Sequence, residues 1–264
     1  MKYSIILLIL FYYVIDSKAQ FNYEYINNKE LIKANKVKSV NVFYFNSEFD
    51  SVLTDINTFD TSGYLLCKRS FSDDGHIIIS DTSLYDVNHY LIKKINYDDT
   101  GIVYINTFVN NPRGKVISQT LSRDSIFTQM NSSYDEKDRL VKTIRIIIGV
   151  DTTITTFFYN AKGQDIKNIS LSSKNGTSTI TKEYNSAGKV QKQINLSQDS
   201  KYLFEFKYDK NGNNYEIIST STDNNKKNTL RRLYSYYPDG LLFEKIIFRN
   251  NKPLGVYRAF YTYY

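Results

Sequence analysis

A short turn pattern recurs along this 264-residue chain at a spacing that few folds accommodate. An aromatic residue is followed four positions later by glycine, often with Asp or Asn directly after the aromatic. The pattern reads Phe59-Asp-Thr-Ser-Gly63, Phe71-Ser-Asp-Asp-Gly75 and Tyr97-Asp-Asp-Thr-Gly101 in the first half. It returns as Tyr159-Asn-Ala-Lys-Gly163, Tyr184-Asn-Ser-Ala-Gly188, Tyr208-Asp-Lys-Asn-Gly212 and Tyr236-Tyr-Pro-Asp-Gly240. Tyr85-Asp-Val-Asn-His89 and Tyr134-Asp-Glu-Lys-Asp138 keep the frame without Gly, and Asn110-Asn-Pro-Arg-Gly114 keeps the Gly without the aromatic. The anchors at 110, 134, 159, 184 and 208 follow each other at steps of 24, 25, 25 and 24 residues. From 59 to 110 the steps are 12, 14, 12 and 13, about half that period. Regularity of this kind marks a repeat architecture.

The chemistry of the unit predicts its shape. Asp or Asn at the first turn position bonds its side chain to the backbone ahead, and Gly at the fourth takes a positive φ without penalty. A type I turn closed by such a Gly is the three-residue hairpin loop with a G1 bulge. Between turns the residues alternate as half-buried strands do. Tyr202, Phe204, Phe206 and Tyr208 share one face, while Glu205 and Lys207 take the other. Val190, Lys192 and Ile194 also share a face, which places a charge among aliphatics. Pro112, Pro238 and Pro253 all fall at turns. About eighteen short strands in sequential antiparallel order are expected between 37 and 263. One short helix is expected over 27–36, with Asn28 as its cap and Glu30 in its first turn. The expected fold is all-β: a hairpin repeat array in 20–264, curling or winding into a superhelical sheet as twist accumulates, its first edge covered by the helix.

Residues 1–19 read as a secretory signal peptide. Lys2 gives a positive start, Ile5 to Ile15 form an apolar run, and Ser17 and Ala19 suit cleavage after Ala19. That run is shorter than the roughly 20 residues of a spanning helix, so the mature chain is expected to have no transmembrane helix. An exported product, periplasmic or extracellular, follows. The net charge of +7 is scattered over the chain and accompanies no RNA-binding motif, which argues against a nucleic-acid partner. A single Cys and two His exclude a disulfide framework and leave little for a metal centre.

The Tyr-Asp-x-x-Gly unit followed by an apolar strand resembles the YD or RHS-type repeat of bacterial secreted and surface proteins. The copies at Tyr159, Tyr184 and Tyr208 carry the match best, and the resemblance spans roughly residues 59–249. It implies a repeat protein in contact with carbohydrate or the cell surface, and it supplies no catalytic residue.

The turn carboxylates Asp73, Asp74, Asp98, Asp99, Asp135, Asp138 and Asp209 fit their turn positions better than paired acid and base roles. Asp209 to Asn213 departs from a calcium loop, since its Gly comes fourth and no Glu closes it. Nucleophile elbow, Walker and dinucleotide motifs are absent, no cofactor is called for, and Cys67 lies in an expected strand. The recurring aromatics are the remaining candidates. Tyr159, Tyr184 and Tyr208 form either a structural ladder along the sheet or a binding platform for sugars or an extended peptide. The expected function is therefore non-catalytic binding or scaffolding at the cell surface, with a glycan or surface protein as partner. A small outer-membrane β-barrel and a secreted hydrolase stand as alternatives.

Overall fold

The computed structural model describes residues 28–45, 51–123, 126–198, 200–223 and 226–264. The proposed leader therefore lies outside the described residues. Among the described residues one helix, α1 (Lys29–Ala34), precedes eighteen strands. The first six strands are β1 (Val37–Phe45), β2 (Ser51–Phe59), β3 (Leu65–Phe71), β4 (Ile77–Tyr85), β5 (Leu91–Asp98) and β6 (Val103–Asn110). The next six are β7 (Val116–Arg123), β8 (Ile126–Tyr134), β9 (Leu140–Ile147), β10 (Asp151–Tyr159), β11 (Asp165–Ser172) and β12 (Gly176–Tyr184). The last six are β13 (Val190–Leu196), β14 (Lys201–Tyr208), β15 (Asn214–Asp223), β16 (Lys226–Tyr236), β17 (Leu242–Arg249) and β18 (Lys252–Tyr263).

All eighteen belong to one sheet of antiparallel neighbours, and its ends are joined. β1 pairs with β2 from Ser39↔Thr58 to Phe45↔Ser51, and on its other side with β18 from Val37↔Tyr263 to Phe45↔Val256. The sheet is thus a closed eighteen-stranded β-barrel. This corrects the expectation of an open, curled or superhelical hairpin array, and with it the identification as a YD/RHS-type repeat protein. Local alternation and turn chemistry are the same in an open meander and a closed one. The difference is a single pairing between strands more than two hundred positions apart, for which no local signal exists. Closure also relieves the edge problem, because every strand then has two partners.

The chain forms two compact units. The first comprises the described residues up to Ser80 with Tyr234–Lys245 and Gly255–Tyr264; the second is Asp81–Leu233 with Ile246–Leu254. The first holds a packed apolar core. Val40, Val42, Leu242 and Ala259 are fully buried, with Ile32, Val37, Phe59, Leu241 and Tyr257 beside them. Asn28 caps α1 by accepting the Leu31 amide at 3.3 Å, and the helix carries Ile32 into this core. With β1 paired on both sides, α1 covers turns instead of an edge. A Cβ at Gly63 would meet the Lys29 carbonyl at 2.6 Å, and one at Gly240 would touch Leu31 at 3.6 Å.

The second unit is built differently. Ile217 and Ile247 are its only deeply buried apolar residues among those described, alongside Asp81, Ser83, Asp151, Asn214 and Glu216. Its strands are two-faced and half-buried on both sides, as in a sheet without a filled interior layer.

Candidate functional site

The repeated turns place their side chains as the sequence requires. Asp209 Oδ1 accepts the amides of Asn211 and Asn213 at 2.9 and 2.8 Å. Asp60, Asp86, Asp98, Asn111, Asp135 and Asn160 do the same in their own turns. The closing position takes a positive φ even where Gly is missing, at His89 (60°) and Asp138 (58°). The strand register shifts by one at Phe59, Asn110, Tyr134, Tyr159, Tyr184 and Tyr208, as a bulge requires, and runs unshifted through Tyr97.

Each bulge turns its anchor aromatic to one face. Phe59, an anchor in the first unit, is 2% exposed, so this is the inner face of the closed sheet. Equivalent turns in the second unit present Tyr134, Tyr159, Tyr184 and Tyr208 to the same face. Their hydroxyls donate to the main chain of the preceding hairpin. Tyr134 reaches the Val116 carbonyl at 2.9 Å, Tyr159 that of Leu140 at 2.8 Å, Tyr184 that of Asp165 at 2.7 Å, and Tyr208 that of Val190 at 2.6 Å. In the turns at 134, 159 and 184 the residue after the closing position reaches forward to the next repeat. Arg139 lies over the Tyr159 ring at 4.8 Å and Lys189 over the Tyr208 ring at 5.2 Å. Gln164 occupies the corresponding place before Tyr184 and donates to the Gly188 carbonyl at 3.3 Å. The three candidate platform residues therefore line one row, one hairpin apart, with their hydroxyls engaged. Among the described residues Tyr184 has no cation over its ring.

From β4 to β7 the inner face carries a polar network, while on β14 and β15 it holds Phe204, Phe206 and Ile217. Asp81 binds Lys94 at 2.9 Å and accepts from Asn96, Asn96 accepts from Asn106 at 3.4 Å, and Asn106 accepts from Gln119 at 3.0 Å. This chain of side-chain bonds crosses β4 to β7. In the first unit, Asp55 accepts from Ser70 at 2.7 Å and pairs with Lys68 at 3.3 Å.

The opposite face of the second unit carries aliphatic pairs across neighbouring strands: Ile95↔Ile105, Ile144↔Ile154, Ile154↔Leu171 and Ile194↔Leu203. Val109 (56% exposed), Leu171 (53%) and Phe158 (42%) stand out from it. Between β7 and β8 the same face is polar, with Ser118↔Asn131 and Thr120↔Gln129. The outward aliphatics were only partly legible in sequence, because Thr and Lys share their face.

Asp74, Asp98, Asp135 and Asp209 are held within their own turns. Asp138 pairs with Arg113 at 2.8 Å, His76 lies 3.6 Å from Asp74, and Cys67 is a half-buried free thiol. Among the described residues no group of three or more His, Cys, Asp or Glu could hold a metal ion, and no helix is long and apolar enough to cross a membrane.

No family model and no curated protein matches this chain. Among solved structures, a porin-like protein from Bacteroides uniformis is similar at 12% identity and a TM-score of 0.47, over 86% of this chain and 98% of that one. The TcdB2-TccC3-Cdc42 structure is similar at 12% identity and a TM-score of 0.34, over 79% of this chain and 13% of that one. The Photorhabdus luminescens Tc holotoxin pore gives 11% identity and the same TM-score, over 79% and 16%. This chain thus spans a small part of the toxin chains and nearly all of the porin-like one. Likenesses this distant decide nothing about activity. The closed strand pairing does bear on it, and it overturns the expected role as an open secreted or periplasmic YD/RHS-like scaffold. An open array would offer a polymer two free edges and a continuous ribbon, and here the edges are joined.

Proposed function

We propose that this chain is a non-catalytic β-barrel of an outer membrane, with aliphatic pairs on much of its outward face. The observation that carries it is the pairing of β1 with both β2 and β18, which leaves no main-chain donor row exposed at a sheet edge. In hydrocarbon an unpaired edge is prohibitive, and a closed sheet is the one β-structure that avoids it. The outward pairs Ile144↔Ile154 and Ile154↔Leu171 support the same location, as does the amide network on the inner face. Nine of the eighteen strands have nine residues or more, the length a tilted spanning strand needs.

The inner aromatic row gives this barrel its candidate contact surface. Tyr159, Tyr184 and Tyr208 would meet a glycan or an extended peptide by ring faces and edges, their hydroxyls being held by the backbone. Fractionation of cells expressing the full chain with its leader tests the location. The protein is expected in a carbonate-resistant membrane pellet, and to migrate faster on a gel unheated than boiled. Recovery as a soluble periplasmic species would defeat the reading. Ile169→Arg, nearer the middle of β11 on the outward face, is expected to weaken insertion into lipid by about 2–4 kcal/mol.

A further inference from the structure

The outward face holds a row of lysines that the barrel's fold does not use. Lys93, Lys142 and Lys167 occupy the same place in their repeats, the third position of the strand that follows an anchor turn. Lys142, Lys167 and Lys192 follow one another at steps of 25 residues. Register puts them on the face opposite Asn110, Tyr134 and Tyr159, the face that Lys93 shares with Tyr97. Lys142 pairs across from Thr156, Lys167 from Phe158, and Lys93 from Thr107. Lys192, at the next place, is held by Glu183 at 3.2 Å. Lys93, Lys142 and Lys167 have no ion-pair partner among the described residues, and Lys142 and Lys167 are exposed.

The row has a definite position relative to the aliphatic pairs. Ile95 lies two residues beyond Lys93, Ile144 beyond Lys142 and Ile169 beyond Lys167, all on the same face and farther from the turn that opens each strand. Ser118 fills the equivalent place on β7, where the outward face is polar. Cations therefore recur where aliphatics follow. An ammonium group on a four-carbon stem beside an apolar belt extends to the polar boundary and meets phosphate there.

We propose that Lys93, Lys142 and Lys167 form a binding row for the phosphates of anionic lipid headgroups at the end of the barrel that holds the turns before β5, β9 and β11. The proposal rests on the membrane reading above and adds which leaflet chemistry that end prefers. Unpartnered positive charge in register matches an anionic headgroup layer, whereas a neutral layer offers no net complement. Each lysine close to such a surface strengthens binding about fivefold, so the three together give about a hundredfold.

The test is flotation of the purified full chain with vesicles of phosphatidylcholine alone and with phosphatidylglycerol added. The wild type is expected to associate at least tenfold more strongly with the anionic vesicles. The variant K93Q/K142Q/K167Q is expected to lose that preference while keeping its heat-modifiable migration, and K93R/K142R/K167R to retain it. An equal anionic preference in wild type and the Gln variant overturns the proposal, as does insertion of the wild type into both vesicles without preference. That second result leaves the barrel in the membrane. Lysine-dependent binding to anionic vesicles with no insertion into either kind would uphold the row and defeat the membrane-spanning reading.

Discussion

Asp135 illustrates how much one side chain does in each repeat. Its Oδ1 accepts the amides of Lys137 and Arg139, both at 2.9 Å, and its Oδ2 takes the Arg139 guanidinium at 2.7 Å. The Arg139 side-chain bond, with the amide bonds behind it, holds the carboxyl below its ordinary value of 3.8. A depressed folded value means that the stabilisation is complete above the ordinary value and fades as pH falls through the folded one. An acid titration of stability is expected to be shallower below about pH 4 in Asp135→Asn than in the wild type. The closing position of the turn gives a second expectation. Gly212 has φ 83°, and a Cβ there would strike the Lys189 side chain. Gly212→Val should cost about 1–2 kcal/mol in a urea melt of the refolded protein. His89 already sits at φ 60°, so His89→Gly should gain about 0.5–1 kcal/mol in the same melt.

At the scale of the hairpin, the tyrosine row adds a second tie between neighbours that strand pairing already joins. Tyr159, Tyr184 and Tyr208 each tie their hairpin to a carbonyl of the one before. Changing all three to Phe keeps the rings and removes three hydroxyl bonds, with an expected loss of about 2–4 kcal/mol in a urea melt. A glycan that contacts the rings should still bind the Phe variant, and it should lose binding to the corresponding Ala variant. A lost melt transition without any measurable ligand effect would leave the row purely structural. Most of this element was readable in advance. Tyr208-Asp-Lys-Asn-Gly212 dictates its turn, its bulge and the strand on either side, because all of these arise within a dozen residues. The direction of each hydroxyl was not readable. It depends on the register between hairpins, which a one-residue slip would have inverted. The lysine row was present in the spacing of Lys142, Lys167 and Lys192, yet each lysine alone resembles an ordinary solvated strand position.

For the whole molecule, the seam between β1 and β18 is the feature that no window of sequence displays. Val42 faces Ala259 across it, Phe43 stacks edge-on against Phe260 at 5.6 Å, and the Ser39 and Thr262 hydroxyls bond at 2.6 Å. Cross-strand neighbours there should be close enough to cross-link. The double variant N41C/F260C is expected to form an intramolecular disulfide on mild oxidation, seen as a mobility change reversed by reductant. Persistence of both thiols in the folded protein would show the sheet to be open after all.

That seam also sets an order of events during biosynthesis. Seventeen of the eighteen neighbour contacts join strands made one after the other, and the last joins residue 37 to residue 263. Hairpins can therefore form as the chain emerges, while completion must wait until residue 263 has been made. Until then β1 waits with one bare side, and each newly finished hairpin ends in another. Contact order alone would rank this ring closure as the slow step of folding. Aggregation during export should accordingly be governed by the lifetime of that nearly finished, unsealed intermediate rather than by the stability of the sealed one.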